Sequence, residues 1–247
     1  MDYKLINPPQ SIAAFVESFW MLHNPSDENK EVIVLPDGRI DLFFSVSATE
    51  PFHITLLGLE TQPSYATIEP QTLTFAISFK PLAAEYLLQQ TVSDLLDTAI
   101  RLPAGFWDFN AGDLSSFEHF CQKAVHTIQE RIPENIDERK IKLFDLMFAS
   151  NGALSVKEFS EKVYWSSRQI NRYFNRQYGI SLKTYCNILR FRASFDHIKK
   201  GKLFPEQDFF DQPHFIRTVK KLTGVSPKEL RHNQNDRFIQ FSTLTGK

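Results

Sequence analysis

Cysteine is nearly missing from this chain: among 247 residues only Cys121 and Cys186 occur. They share no CxxC spacing and lie in different halves, which argues against a disulfide framework or a thiolate zinc site. Buried thiols in a reducing compartment are the expected state. Long apolar runs are missing too, since none approaches the roughly 18 residues that a membrane-spanning helix needs. The opening MDYKLINPPQ lacks the basic-then-apolar pattern of a secretory signal. A soluble, cytoplasmic protein with no membrane partner is therefore expected. There is no Gly-rich phosphate loop, no GxSxG and no Cys/His nucleophile pairing. His23, His53, His119 and His126 are scattered. His119 and His126 have the spacing of one helix face, yet no carboxylate or cysteine completes a metal set. No catalytic residue, metal or cofactor is expected, and the chain reads as a non-enzyme.

What is present is an uneven distribution of charge. Residues 1–136 hold 7 Lys and Arg against 18 Asp and Glu, a net of −11. Residues 137–247 hold 21 against 11, a net of +10. Such a split argues for two domains with different partners, and the basic one suits a polyanion. The divisions expected are residues 1–135, residues 136–235 and a tail of 236–247, with RIPENID (131–137) as the linker.

The acidic half reads as α+β. A short helical pattern covers Ile12–Trp20. Two β-rich runs in EVIVLPDGRIDLFFSV (31–46) flank Pro36-Asp37-Gly38, which is turn chemistry between strands. Asp37, Arg39 and Asp41 are either polar ligand contacts or a solvated hairpin tip. Ile54–Leu59 is a further apolar run. Thr72–Phe79 alternates, with Leu73, Phe75, Ile77 and Phe79 on one face. Pro81 opens a helix continued by Leu82, Glu85, Tyr86 and Gln89. Asp113 or Ser115 caps another, with Phe117, Phe120, Ala124 and Ile128 on one side and Pro133 beyond its end. Phe43, Phe44, Phe75, Phe79, Tyr86 and Trp107 read first as core, and some of them suit the lining of an apolar pocket.

The basic half contains a repeat. INRYFNRQYGISLKTY (170–185) and FIRTVKKLTGVSPKEL (215–230) align at an offset of 45 residues, matching Arg172 with Arg217, Gly179 with Gly224, Ser181 with Ser226 and Lys183 with Lys228. Each copy reads as a basic helix, a glycine stop and a Ser-capped helix. Before the first copy comes a helix over Asp137–Ser150, with Ile141, Phe144 and Phe148 as its stripe. Asn151-Gly152 stops it. Capping boxes follow at Ser155–Glu158 and Ser166–Gln169. In the helix opened by the second box, Ile170, Tyr173 and Phe174 face one way. Arg168, Arg172, Asn175 and Arg176 face the other, with Asn171 on the flank. Such a helix can anchor in a core while its donors meet guanine, adenine and phosphate edges. A long helix from Leu182 to about Lys200 follows, capped by Ser181. In the second basic helix Phe215, Val219 and Leu222 face inward, and Arg217, Lys220 and Lys221 outward. Ser226–Glu229 forms another box, with Pro227 at the first helical position.

The runs SVKEFSEKVYWSSRQINRYFNRQYGISLKTYCNILRFR and FFDQPHFIRTVKKLTGVSPKELR resemble the AraC/XylS family of bacterial transcription regulators, over about residues 137–235. The opening NPPQSIAAFVESFWMLHN, with VLPDGRIDLFFS and AISFKPLAAEYLL, is similar to the N-terminal domain of one subgroup, whose function is undefined. The resemblance implies an α+β domain followed by an all-α domain with two helix-turn-helix units joined by a long helix. It implies recognition helices near 167–178 and 212–222, entering successive major-groove segments of double-stranded DNA. The candidate DNA contacts are Ser167, Arg168, Asn171, Arg172, Asn175 and Arg176 in the first, and Gln212, His214, Arg217, Lys220 and Lys221 in the second. The implied partners are DNA, a small-molecule effector bound by residues 1–135, a second copy of the chain and, for an activator, RNA polymerase. The alternative is a DNA repair enzyme that transfers alkyl groups and carries the same module; it needs an activated cysteine, and neither cysteine has a supporting motif. One departure from the family stands out. KGKLFPEQDFF (200–210) is short, and Pro205 sits where a supporting helix is usual, so at most one helical turn is expected there.

Overall fold

The computed structural model describes residues 1–202 and 212–243. The segment around Pro205 lies outside them. The chain divides into two compact units.

The first unit comprises residues 1–30, 39–59 and 67–137 and is built on an antiparallel sheet. Its strands are β1 (Asp2–Ile6), β2 (Val16–Asn24), β4 (Ile40–Val46), β5 (His53–Leu57), β7 (Thr72–Phe79) and β8 (Ala99–Leu102). They lie in the order β1-β2-β7-β4-β5-β8. The alternation seen in Thr72–Phe79 suits a strand with neighbours on both sides, and Phe75 faces Phe44 across the ladder. Helix α1 (Leu82–Tyr86) follows Pro81, and α2 (Phe117–Gln129) is capped by Ser116, whose Oγ accepts from the His119 amide at 3.3 Å. Phe44, Phe75, Phe109, Phe117 and Phe120 form one aromatic cluster, with centroid separations from 4.6 Å (Phe44–Phe109) to 6.4 Å (Phe117–Phe120). Each fully buried ring contributes about 1.5–3 kcal/mol. On the opposite sheet face Trp20 Nε1 donates to Ser78 Oγ at 2.9 Å, and Ser78 donates to Asp41.

Four expectations change here. The helix expected over Ile12–Trp20 is only a 3-10 turn at Gln10–Ile12, because Val16–Trp20 is held in β2 by the ladder to β7, joined from Phe19 onward by the ladder to β1. The cap of α2 is Ser116 rather than Asp113 or Ser115; Asp113 instead completes a box with Asn110 one turn earlier. Strands β1 and β8 come from segments with weak patterning. The runs around Pro36-Asp37-Gly38 do not pair with each other: β3 (Lys30–Val34) joins β6 (Ser64–Ile68) in a separate two-stranded sheet. Asp37, Arg39 and Asp41 are accordingly not a solvated tip, since all three are buried.

The second unit comprises residues 138–247 together with 31–38 and 60–66. Its helices are α3 (Glu138–Ala149), α4 (Val156–Val163), α5 (Ser167–Tyr178), α6 (Leu182–Ala193), α7 (Phe195–Lys199), α8 (Gln212–Thr223), α9 (Pro227–His232) and α10 (Ile239–Thr243). The stripe of α3 is rotated from the expected one: Leu143, Phe144 and Met147 are buried, whereas Ile141 and Phe148 are half-buried. The long helix expected from Leu182 to Lys200 is split at Ser194, whose hydroxyl bonds back to the Phe191 carbonyl at 2.6 Å and competes with the helical ladder. Phe238 and Phe241, in the segment read from sequence as a tail, are buried.

Residues 31–38 form a strap within this unit. Ile33 bridges Phe238 in parallel, and its amide donates to the Arg237 carbonyl at 2.6 Å. The Leu35 amide donates to Gln240 Oε1 at 2.7 Å. Arg192 Nη1 on α6 donates to the Asp37 carbonyl at 3.3 Å.

Candidate nucleic-acid interface

The first helix-turn-helix is built from two capping boxes and one left-handed turn. Ser155 Oγ accepts from the Glu158 amide at 3.3 Å, and Glu158 Oε2 accepts from the Ser155 amide at 2.7 Å. The hydrogen bonds from Ser155 hold the Glu158 carboxyl below its ordinary pKa. Helix α4 then runs to Val163, and Tyr164 closes it in the left-handed region (φ 54°, ψ 39°), donating its amide to the Ser160 carbonyl. Ser166 and Gln169 form the second box and start α5. The inner side of α5 is Ile170, Phe174, Gln177 and Tyr178, all buried. Phe174 meets Phe144 of α3 at 5.8 Å and Tyr185 of α6 at 5.9 Å. This anchors the helix and fixes which residues point out.

The outer side carries the residues singled out from the sequence. Arg168, Arg172, Asn175 and Arg176 are exposed, and Ser167 and Asn171 are half-buried. Asn171 Nδ2 donates to the Ser167 carbonyl at 3.0 Å, so this amide is turned along its own helix. The three arginines are spaced one turn apart. Among the described residues no carboxylate pairs with any of them. Gly179 ends α5 at φ 73°, and Ser181 caps α6.

The second copy has the same order. In α8 Phe215, Val219, Leu222 and Thr223 are buried; Gln212, Arg217, Lys220 and Lys221 are exposed, and His214 is half-buried. Gly224 follows at φ 75°, and the Ser226–Glu229 box starts α9 with Pro227 at its first turn. The Ser226 hydroxyl and amide hold the Glu229 carboxyl below its ordinary pKa.

The sequence reading missed the aromatic and basic surroundings of the first turn. Tyr164 is 87% exposed. Arg139, Lys140 and Lys142 of α3 lie over Trp165, Tyr173 and Tyr164, at 5.4, 4.8 and 5.6 Å from the ring centroids. The YW pair between two capping boxes was the available signal.

Both cysteines are buried, and desolvation pushes each thiol up to about 12. Among the described residues no three of His, Cys, Asp and Glu are grouped so as to hold a metal ion, and no helix is long and apolar enough to cross a membrane. The first unit has a groove of about 310 Å³ lined by Ile6, Pro9, Phe19, Cys121, Val125 and Gln129. A more polar one of about 450 Å³ is lined by Asp113, His119, Gln122 and Lys123.

A family described as a domain of unknown function (DUF6597) matches residues 4–101. No curated protein matches the chain in sequence. Among solved structures, ToxT from Vibrio cholerae aligns at a TM-score of 0.45 and 12% identity, covering 99% of this chain and 98% of that one. A structure of wild-type ToxT with a bound unsaturated fatty acid aligns at a TM-score of 0.43 and 10% identity, covering 96% of each chain.

Proposed function

We propose that this chain is a sequence-specific, DNA-binding transcription regulator. The observation that carries the reading is the outer face of α5, where Arg168, Arg172 and Arg176 stand exposed and one turn apart. Two like-charged pairs at this spacing each cost the free helix about 0.2–0.5 kcal/mol. A polyanion converts that repulsion into attraction, and a duplex major groove admits such a helix. The second basic helix, α8, supports the reading by repeating the arrangement: inner apolar side, outer cations, glycine stop, Ser-capped helix. On this reading α5 and α8 enter the major groove, with Ser167, Asn171 and Asn175, and in α8 Gln212, His214, Arg217, Lys220 and Lys221, as further contacts.

The first unit is read as the effector or dimerisation module, and its apolar groove beside Cys121 suits a small apolar ligand. Alkyl transfer is disfavoured, because it needs a thiolate and burial pushes both thiols up to about 12.

Mapping of bound genomic sites by the full-length protein tests the function. A shared sequence motif is expected. Retention on all duplexes alike, or on none, overturns it.

A further inference from the structure

Tyr164 combines two properties that rarely coincide. It is 87% exposed, and among the described residues no large apolar side chain is more so. It also sits at φ 54°, ψ 39°, a conformation that glycine adopts freely and a Cβ opposes. Most other non-glycine residues at positive φ here are Asn, Asp or Gln. The other aromatic, Trp107, stacks on Phe106 at 5.2 Å and meets Phe79 at 5.9 Å. The phenol of Tyr164 gains little burial in return for its strain. A bulky residue kept in a strained and exposed position marks a functional site more often than a structural one.

Its surroundings indicate the chemistry of the partner. Lys142 Nζ lies 5.6 Å from the Tyr164 ring centroid, and the neighbouring cations Arg139 and Lys140 lie over Trp165 and Tyr173. Three cations of α3 are thus held beside the turn that precedes Ser166, the cap of α5. A phenol hydroxyl next to a lysine suits a phosphodiester: one donates a hydrogen bond and the other supplies charge.

We propose that Tyr164 and Lys142 contact the phosphate backbone of duplex DNA beside the groove segment that α5 enters. The proposal rests on the DNA-binding reading above. It adds a positioning contact that sets the register of α5 and carries no sequence information.

The test uses the full chain, anisotropy titrations against a bound genomic duplex and an unrelated duplex, and thermal melting. Tyr164→Gly relieves the backbone, so its melting temperature should rise by about 2–4 °C. Its affinity for both duplexes should fall about tenfold. Tyr164→Phe should leave the melting temperature unchanged and lose a similar amount of affinity, with the salt slope unaltered. Lys142→Ala should lower the slope of log affinity against log salt by about 1. A Tyr164→Gly protein that binds as tightly as the parent overturns this proposal alone. So does a Tyr164→Phe protein of full affinity. Should the parent protein bind neither duplex, this proposal and the DNA-binding reading fall together.

Discussion

The hydroxyl of Tyr185 donates to the carbonyl of Gly38 at 2.8 Å, in a buried position, across 147 residues of sequence. Gly38 stands at φ +81°, and a Cβ there would lie 3.2 Å from the Tyr185 ring. A tight left-handed turn and a close ring require glycine together. Tyr185 belongs to the first turns of α6, directly after the first helix-turn-helix. The same strap, three to five residues earlier, is tied to Phe238 and Gln240 near α10. Residues 31–38 therefore tie the linker helix to the end of the second copy within one unit.

Removing the Tyr185 hydroxyl leaves a buried carbonyl without its donor. Tyr185→Phe is expected to destabilise the protein by about 1–3 kcal/mol. Gly38→Ala adds backbone strain to the clash with the ring and should cost at least as much. Urea unfolding of the full chain, followed by circular dichroism of the helices, measures both. Gly38→Ala as stable as the parent would mean that the turn has another solution.

A chain beginning at Asp137 lacks the strap. Val32, Ile33 and Leu35 are buried within the second unit, so their loss uncovers its α10 side. Amide exchange at α10 is expected to run at least about tenfold faster in the fragment 137–247 than in the full protein, a loss of about 1.4 kcal/mol of local stability. Mass-resolved hydrogen exchange on both proteins decides this. Equal rates would show that the strap is dispensable for the helices.

Acid should act on the two helix caps. Glu158 and Glu229 have carboxyls held below the usual value of 4.5 in the folded chain by hydrogen bonds from Ser155 and Ser226. A carboxyl with a depressed folded pKa stabilises fully above its unfolded pKa. That contribution is lost as pH falls through the folded value. Helical stability is therefore expected to decline below about pH 4.5. Replacing both by Gln, which keeps an acceptor but does not titrate, should make the decline shallower. Melting curves between pH 7 and pH 3 check this, and an unchanged acid slope in the double variant counts against the caps.

The helical unit was the more legible part of the sequence, because its signals are local. Ser155, Ser166, Ser181 and Ser226 cap helices as their spacing implies, and Gly179 and Gly224 end them. Inner and outer faces of α5 follow from the helical period, so Ile170 and Phe174 were legible as core and Arg168 and Arg172 as surface. The sheet was less legible. Val16–Trp20 satisfies a helical period, and only the partners on either side decide for β2. The strap was hidden for the same reason: EVIVL followed by Pro-Asp-Gly looks like half of a hairpin, while its partners are β6 and, some 200 residues away, Phe238 and Gln240. Tyr164 was invisible as a strained position, since a turn between two capping boxes shows in the sequence but its φ does not.

Arg172 and Arg217 occupy matched positions of the repeat, and both are exposed on basic helices. On the proposed DNA-binding function each would pair with a guanine edge, worth about 1–3 kcal/mol of discrimination. The sequences that precede them differ. Ahead of Arg172 stand α4, a left-handed turn and a complete capping box. Ahead of Arg217 the sequence offers the short run from Lys200 to Phe210, interrupted by Pro205, where the resemblance would place a full supporting helix. A reading helix held less firmly loses more entropy on docking, so its base contacts discriminate less. Arg172→Ala is therefore expected to cost more affinity and to relax the preference at one part of the site. Arg217→Ala should cost less and weaken binding evenly across sequences, as loss of a phosphate contact does. Both variants are measured on a panel of single-base operator changes at fixed salt. If Arg217→Ala proves the more damaging and the more base-selective, the shortened segment supports α8 as well as a full helix would, and the two copies read DNA with the order of importance reversed.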